Sequence, residues 1–501
     1  MTRIALFLIF IFTFSSAVFS QSEKAIDKQV RLSLEELKSF IALPNDANNP
    51  ADIDKNLVWL VKAFNNRGFK TKLLPTEGIP LFYAELKTSE EKPTLLFYMH
   101  FDGQSVDRTK WEQEDPYKIA LKANEGGKWV EKPWSALNSG VNDDWRLFGR
   151  STSDDKGPIV MFLNAIDLLR YDKKEIPFNV KVILDGEEEK SSKPLPGAVR
   201  KNKELLKSDF LVINDGPVHV SGKPTLVFGC RGITSMTITT FGPVVPQHSG
   251  HYGNYAPNPG WRLIHLLDGM KDSQGLVKIK GYYDGIELDA ETKKVLSQVP
   301  DDISTIHGRL QIADPEKVGS NYQESLQYPS LNIRGMSSGW VGKEARTIVP
   351  ESATAELDLR LVVETDGRRL QGLVKDHLKS QGYEIVDQIP DKKIRLKEPN
   401  LVLVKEGSVT DAFRTDLDNP FGIWLEGILT HSFNEDVVKI RTMGGTVPIA
   451  PFINALDIPA FIVPMVNPDN NQHSPNENLK ISQINYGIKL FYQMLTTEYM
   501  P

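Results

Sequence analysis

Cysteine is nearly absent from this chain of 501 residues: Cys230 is the sole example. A single thiol excludes internal disulfides and a structural zinc site built from several thiolates. Basic tracts are missing too. The net charge is −6 and no Lys/Arg-rich segment occurs, so nucleic acid is not an expected partner. No apolar run reaches the roughly 20 residues of a membrane-spanning helix, and there is neither an internal repeat nor a low-complexity linker. What is present is ordinary for a globular protein, with 40% hydrophobic and 25% charged residues. The length exceeds what one core can organise, so at least two domains are expected.

The N-terminus has a layout of its own. Arg3 precedes an almost unbroken apolar run over 4–14, and small residues follow over 15–20. This predicts a secretory signal peptide over 1–20, cleaved after Ser20, and an exported protein, periplasmic or secreted. No cysteine stands near that cleavage site to carry a lipid, so no stable membrane association is expected after cleavage. An exported protein without disulfides must be held together by its core.

The most informative stretch is 178–192, FNVKVILDGEEEKSS. It begins as a strand, with Val180, Val182 and Leu184 alternating with Asn179, Lys181 and Ile183. It then runs directly into Asp185-Gly186-Glu187-Glu188-Glu189. A lone run of glutamates is most often a solvated face. This one follows an apolar strand, and ligands of α/β sheets bind where strands end. Two adjacent carboxylates there can divide the labour of metal-assisted hydrolysis: one holds a metal and its neighbour accepts a proton from water.

Comparable endings recur. The apolar run 94–99 leads into His100-Phe101-Asp102, and residues two apart on a strand share a face. Asp102 is therefore placed to accept the second ring N–H of a ligating His100, which fixes its tautomer. A hydrogen-bonded core histidine is the commoner explanation of an isolated His-x-Asp. Gly149-Arg150-Ser151-Thr152-Ser153-Asp154-Asp155 opens a helix expected over 159–171, with Pro158 in its first turn; the aspartates there either cap the helix or bridge two metals. A strand over 207–213 ends in Asn214-Asp215. Four such sites separated by α/β units are difficult to attribute to solvation. Between them, 105–146 reads as irregular loop with room for a short hairpin, and a helix is expected to start at Asp54 as its N-cap.

From Thr225 the pattern changes. Residues 226–240 alternate and are Thr-rich, as in an antiparallel sheet with one solvated face. Gln247-His248-Ser249-Gly250 follows, then a helix over 259–270 and a poorly patterned stretch, 271–325. A strand over 354–363 carries Glu356, Asp358 and Arg360 on one side, and an amphipathic helix succeeds it. Residues 226–440 are taken as an α+β domain inserted into an α/β domain built from 21–225 and 441–501. The latter part holds Gly444-Gly445-Thr446, a strand over 459–466, His473 in a loop and a closing helix.

Taken together, YMHFDGQ, GRSTSDDKG, DGEEEKSS, VIND, HSG and NQHSPNE, in this order, make the chain resemble the two-zinc metallopeptidase and deacylase family that includes carnosinase, glutamate carboxypeptidase, aminoacylase and acetylornithine deacetylase. The long interval from Asp215 to His473, GKEARTIVP (342–350) and GGTVPIA (444–450) are most similar to the carnosinase-like branch. The resemblance implies a mixed-sheet zinc-peptidase catalytic domain with an inserted α+β lid and dimerisation domain. It implies two Zn²⁺ per chain, with Mn²⁺ or Co²⁺ as substitutes. One metal would be held by His100, Asp154 and Asp215, the other by Asp154, Glu189 and His473. Asp154 would bridge, Asp102 orient His100, and Glu188 act as general base. His248 would reach the partner's active site across a homodimer, and Arg360 would grip a substrate carboxylate beside Gly445 and Thr446. Lys190 and Ser191 stand where the family has small residues, and Arg441 stands one residue early relative to the family's arginine. The expected activity is hydrolysis of the amide bond of dipeptides or short peptides. Alternatives are a deacylase of N-acyl amino acids with the same metals, or an inactive binding protein of the same fold.

Overall fold

A computed structural model describes residues 25–500; the expected signal segment, 1–20, lies outside the described residues. The chain divides into two compact units. Among the described residues, one comprises those up to Phe228, Thr415–Lys439 and those from Pro451 onward, the other Gly229–Arg414 and Ile440–Ala450. This corrects the expected insertion over 226–440 at its C-terminal side. Residues Thr415–Lys439 belong to the first unit because the helix Pro420–Phe433 buries Phe421, Leu425 and Leu429 in that unit's core. Met443 belongs to the second because it bridges Cys230 and bonds to the Gly229 carbonyl.

The first unit is built on a mixed sheet. In spatial order it runs Lys70–Leu74, Leu81–Leu86, Asn179–Asp185, Thr94–His100, Phe210–Ile213, Ala460–Ile462 and Thr225–Val227, with Val438–Ile440 at the far edge. Its central strands are parallel: Thr94–His100 pairs in parallel with both Asn179–Asp185 and Phe210–Ile213. Such strands are covered on both faces, and every residue of Asn179–Asp185 is buried. The polar members of that strand are accommodated by bonds. Lys181 Nζ donates to the carbonyls of Leu205 (2.8 Å) and Lys207 (2.6 Å), and the Asn179 amide donates to those of Ser89 and Lys92. Helices Lys156–Asp172 and Ile481–Thr496 pack against each other beside the sheet, through Phe162 and Phe491.

One local expectation is corrected, and the short hairpin allowed for within 105–146 is present. The second helix is Pro50–Asn65 with Asn49 at its N-cap, so Asp54 lies inside it; proline at the first helical position is the sequence signal for that start. Within 105–146 there is a hairpin, Ala120–Glu125 with Lys128–Glu131, turned by Gly126 and Gly127 at φ +61° and +86°. A turn with two consecutive positive φ values is the type that suits a two-residue hairpin. This hairpin belongs to a four-stranded sheet with Arg146–Phe148 and the C-terminal strand Asn478–Lys480.

The second unit holds a five-stranded sheet ordered Ser330–Ser338, Ser352–Leu361, Gly232–Phe241, Leu401–Thr410 and Glu384–Val386, antiparallel except for the last pair. Alternate residues of Ser352–Leu361 are buried, and helices Pro259–Asp268 and Gly367–Ser380 cover that apolar face with Leu263, Leu266, Leu370 and Val374. The poorly patterned 271–325 contains helices Ala290–Gln298, Ile303–Leu310 and Tyr322–Ser325. No helix among the described residues is long and apolar enough to cross a membrane.

Candidate metal centre

Register brings the acidic strand ends to one place. His100 lies opposite Asp185, and Tyr98 opposite Ile213. Residues 100–102, 185–189 and 214–215 therefore leave the sheet at the same edge, the C-terminal edge of parallel strands, where α/β sheets bind ligands. Asp154, in the turn before the helix Lys156–Asp172, and His473 complete the cluster. All these residues lie in the first unit.

The buried His100 ring is held between two carboxylates. Its Nε2 is 2.9 Å from Asp154 Oδ1, and its Nδ1 is 3.3 Å from Asp102 Oδ1. Asp102 also accepts the main-chain N–H groups of Glu188 and Glu189, each at 3.1 Å. It therefore orders the glutamate turn as well as the imidazole, a second task that residue spacing could not reveal. The other oxygen of Asp154, Oδ2, lies 3.1 Å from His473 Nε2, which is itself 3.2 Å from Glu189 Oε2. His473 has φ +59°, an uncommon conformation for a residue with a side chain.

Potential ligand atoms fall into two groups, His100/Asp154/Asp215 and Asp154/Glu189/His473, with all ligand atoms in each within 4.8 Å of one another. Asp154 is common to both. Glu188 belongs to neither, although it adjoins Glu189. Asp155 is turned away: its Oδ2 accepts the His100 main-chain N–H at 3.2 Å, and its Oδ1 is buried without a partner.

Charge and hydrogen bonding together test whether these residues fit divalent cations. Burial raises Glu189 to about 7, with Asp154 adding to it, and raises Asp215 to about 6. Desolvation also pushes Glu188 well above the usual carboxylate range, and neighbouring Asp215, Glu189 and Asp154 act in the same direction. Asp154 goes the other way. Burial pushes it up, but its bonds to His100 and His473 outweigh burial and hold it low. Asp154 Oδ2 is buried, and the His473 ring 3.1 Å away is the polar group that faces it. Crowded carboxylates that repel one another, with two imidazoles in reach, form a donor set suited to hard or borderline dications. The residues fit.

Two contributors escaped the sequence reading. Gln104 Nε2 donates to Glu189 Oε2 at 2.8 Å; its place in YMHFDGQ, two residues after Asp102, was the available signal. Asp185, wholly buried, accepts from Tyr98 Oη (3.1 Å), Ser192 Oγ (2.5 Å) and Glu187 N (3.0 Å), which anchors the turn that carries the glutamates. The remaining expected residues belong to the second unit. His248 is exposed, and its Nδ1 accepts the Gly250 N–H at 3.0 Å. Arg360 NH1 donates to Thr446 Oγ1 at 2.9 Å, and that hydroxyl donates to the Arg231 carbonyl at 2.6 Å. Gly445 is adjacent to Thr446 in the chain.

Fold and site together define a metal-dependent peptidase. The profile of peptidase family M20/M25/M40 matches residues 96–497, and the chain belongs to that family. It is 28% identical over 425 residues to the Beta-Ala-His dipeptidase of Mus musculus, covering 82% of this chain and 78% of the relative. It is 26% identical to the Cys-Gly metallodipeptidase dug1 of Schizosaccharomyces pombe, covering 82% and 81%. Among solved structures it is similar to an M20 family metallo-carboxypeptidase, Sso-CP2, from Sulfolobus solfataricus, with a TM-score of 0.74 and 27% identity over 93% of this chain and 98% of the other. The family resemblance read from the motifs, carnosinase-like branch included, is borne out.

Proposed function

We propose that this chain hydrolyses dipeptides and short peptides at a centre of two divalent cations, Zn²⁺ first, with Mn²⁺ or Co²⁺ as substitutes. The observation that carries the reading is Asp154, whose two carboxylate oxygens face two different histidines, each within a separate ligand group. His100, Asp154 and Asp215 would hold one cation, and Asp154, Glu189 and His473 the other. When bound, such a pair acidifies water and polarises the scissile carbonyl.

The chain's own groups do the rest. Glu188 accepts the proton of the attacking water and delivers it to the leaving nitrogen. Asp102 keeps His100 in one tautomer and the glutamate turn in place. His248 donates to the developing oxyanion, an interaction of about 3–4 kcal/mol in comparable sites. Arg360 binds the carboxylate of the substrate. In support, Arg231 is buried and lowered to about 10, by burial first and by Arg360 second. Two guanidinium groups that repel each other favour an anionic ligand.

Turnover of a dipeptide panel, measured with Zn²⁺ and after EDTA treatment, tests the reading. Hydrolysis is expected to disappear with EDTA and return with Zn²⁺, and C-terminally amidated dipeptides should be poorer substrates. Activity confined to N-acetyl amino acids would transfer the assignment to a deacylase. Activity indifferent to chelation would end it.

We further propose that the protein acts after export, supported by the apolar run over 4–14 and the small residues over 15–20, and that it works as a homodimer in which His248 serves the partner's site. His248→Ala and Glu188→Gln homodimers are each expected to be inactive. Subunit exchange between them should restore activity, because one of the two sites in a mixed dimer then contains intact Glu188 and an intact His248 from the other chain. Mixtures that stay inactive with exchange confirmed would place both groups in one chain.

A further inference from the structure

We infer that Glu477 is a positioning residue that ties the loop bearing His473 to the turn bearing Asp154 and so sets the geometry of both metal pockets. This rests on the two-cation reading above. Glu477 is completely buried, four residues after His473. It immediately precedes the strand Asn478–Lys480, which pairs with Arg146–Phe148, so that Asn478 lies opposite Phe148. The pairing continues one step further, with the Gly149 N–H donating to the Glu477 carbonyl at 2.9 Å. The turn 150–154 then folds back over the Glu477 side chain.

Five donors converge on that one carboxylate. Oε2 accepts Arg150 NH1 at 2.7 Å and Ser151 N at 2.9 Å. Oε1 accepts Ser153 N at 3.0 Å, Ser153 Oγ at 2.9 Å and Asp154 N at 3.0 Å. Successive main-chain N–H groups that close around a negative group form an anion-binding concavity; here the anion is a side chain of the protein itself. Both oxygens are saturated and both face donors only. The last of the donors is the amide of Asp154, the residue common to both ligand groups. The carboxylate thus clamps, in a single hydrogen-bonded unit, a turn that supplies one shared ligand and a loop that supplies another.

The chemistry singles out a carboxylate. A glutamine of the same shape has one accepting oxygen and an NH₂ that only donates. In either orientation of the amide, that NH₂ would face two or three of the existing donors. Buried donors left opposite a donor must separate or go unsatisfied, and the adjustment falls on Asp154 and His473. A role confined to holding the fold would lower the melting temperature of the metal-free chain without changing affinity for metal. A positioning role changes the affinity.

The decisive experiment is a competitive Zn²⁺ titration, against a chelator of known affinity, of full-length metal-free wild type, Glu477→Gln and Ser153→Ala, with melting temperatures of the metal-free forms. Loss of a group that orients metal ligands typically weakens binding 10–100-fold, and that is the expected loss for Glu477→Gln at both sites, since both use Asp154. Ser153→Ala removes a single hydroxyl donor and should weaken both sites by a smaller factor. Folded Glu477→Gln with two wild-type affinities overturns the inference. Should Glu477→Gln fail to fold, Ser153→Ala with unchanged affinities overturns it equally. A wild-type chain that takes up no metal would remove the two-cation reading itself, an outcome distinct from either.

Discussion

Glu188→Gln is expected to lose about 10²–10⁴-fold in kcat, the contribution typical of a positioned general acid–base, while retaining two metal ions per chain. The expectation follows from the different positions of two adjacent residues. Glu189 Oε2 lies 3.2 Å from His473 Nε2 and belongs to a ligand group; Glu188 belongs to none. Glutamine keeps the shape and the main-chain N–H that donates to Asp102 Oδ1 at 3.1 Å, so the turn should persist. What disappears is the capacity to accept a proton from water. Metal analysis of the purified variant decides the matter. If one equivalent of metal is lost along with activity, Glu188 is a ligand and the roles of the two glutamates are exchanged.

Replacing Asp154 by alanine should damage metal binding more than replacing Asp215. Asp154 stands in both ligand groups and Asp215 in one. A carboxylate between two dications also offsets their mutual repulsion, which acts at short range in a site of low effective dielectric. Asp154→Ala is therefore expected to lose tight binding at both sites, and Asp215→Ala at one. Zn²⁺ titration of the two metal-free variants separates them. Two tight sites remaining in Asp154→Ala would assign the shared carboxylate elsewhere. Asp155 would then be the first residue to examine, even though one of its oxygens is already engaged with the His100 N–H at 3.2 Å.

Much of the site was legible because its signals are local. An apolar strand followed directly by His-x-Asp, Gly-Glu-Glu-Glu or Asn-Asp says where the chemistry sits, since a strand end is both a change of pattern and a place where side chains can meet a ligand. The division of labour between Glu188 and Glu189 is not local. It depends on which of the two faces His473, nearly three hundred residues later, and sequence order carries that only through the family resemblance. Gln104 and Glu477 were overlooked for a similar reason. Both sit within quoted motifs, but their partners, Glu189 and the turn 150–154, are brought to them by folding.

The same distinction runs through the fold. The sequence by itself determined the class of elements, because hydrophobic period and turn residues act over a few positions: the strand into DGEEE, the helix opened by Pro158, the amphipathic helix over 367–380. It also determined that the chain could have no internal disulfide and no metal site built from several thiolates, which follows from one cysteine. Only the tertiary structure decided the hairpin's place beside Arg146–Phe148 and Asn478–Lys480, because strand pairing joins distant residues that need share no local pattern. It alone assigned the helix Pro420–Phe433 to the first unit, since its apolar side chains would fit any core and the contacts select one. It alone turned Asp154, rather than Asp155, toward both histidines. Adjacent aspartates are chemically equal in a sequence; their burial, their partners and the direction in which each carboxylate points distinguish them once the chain has closed around Glu477.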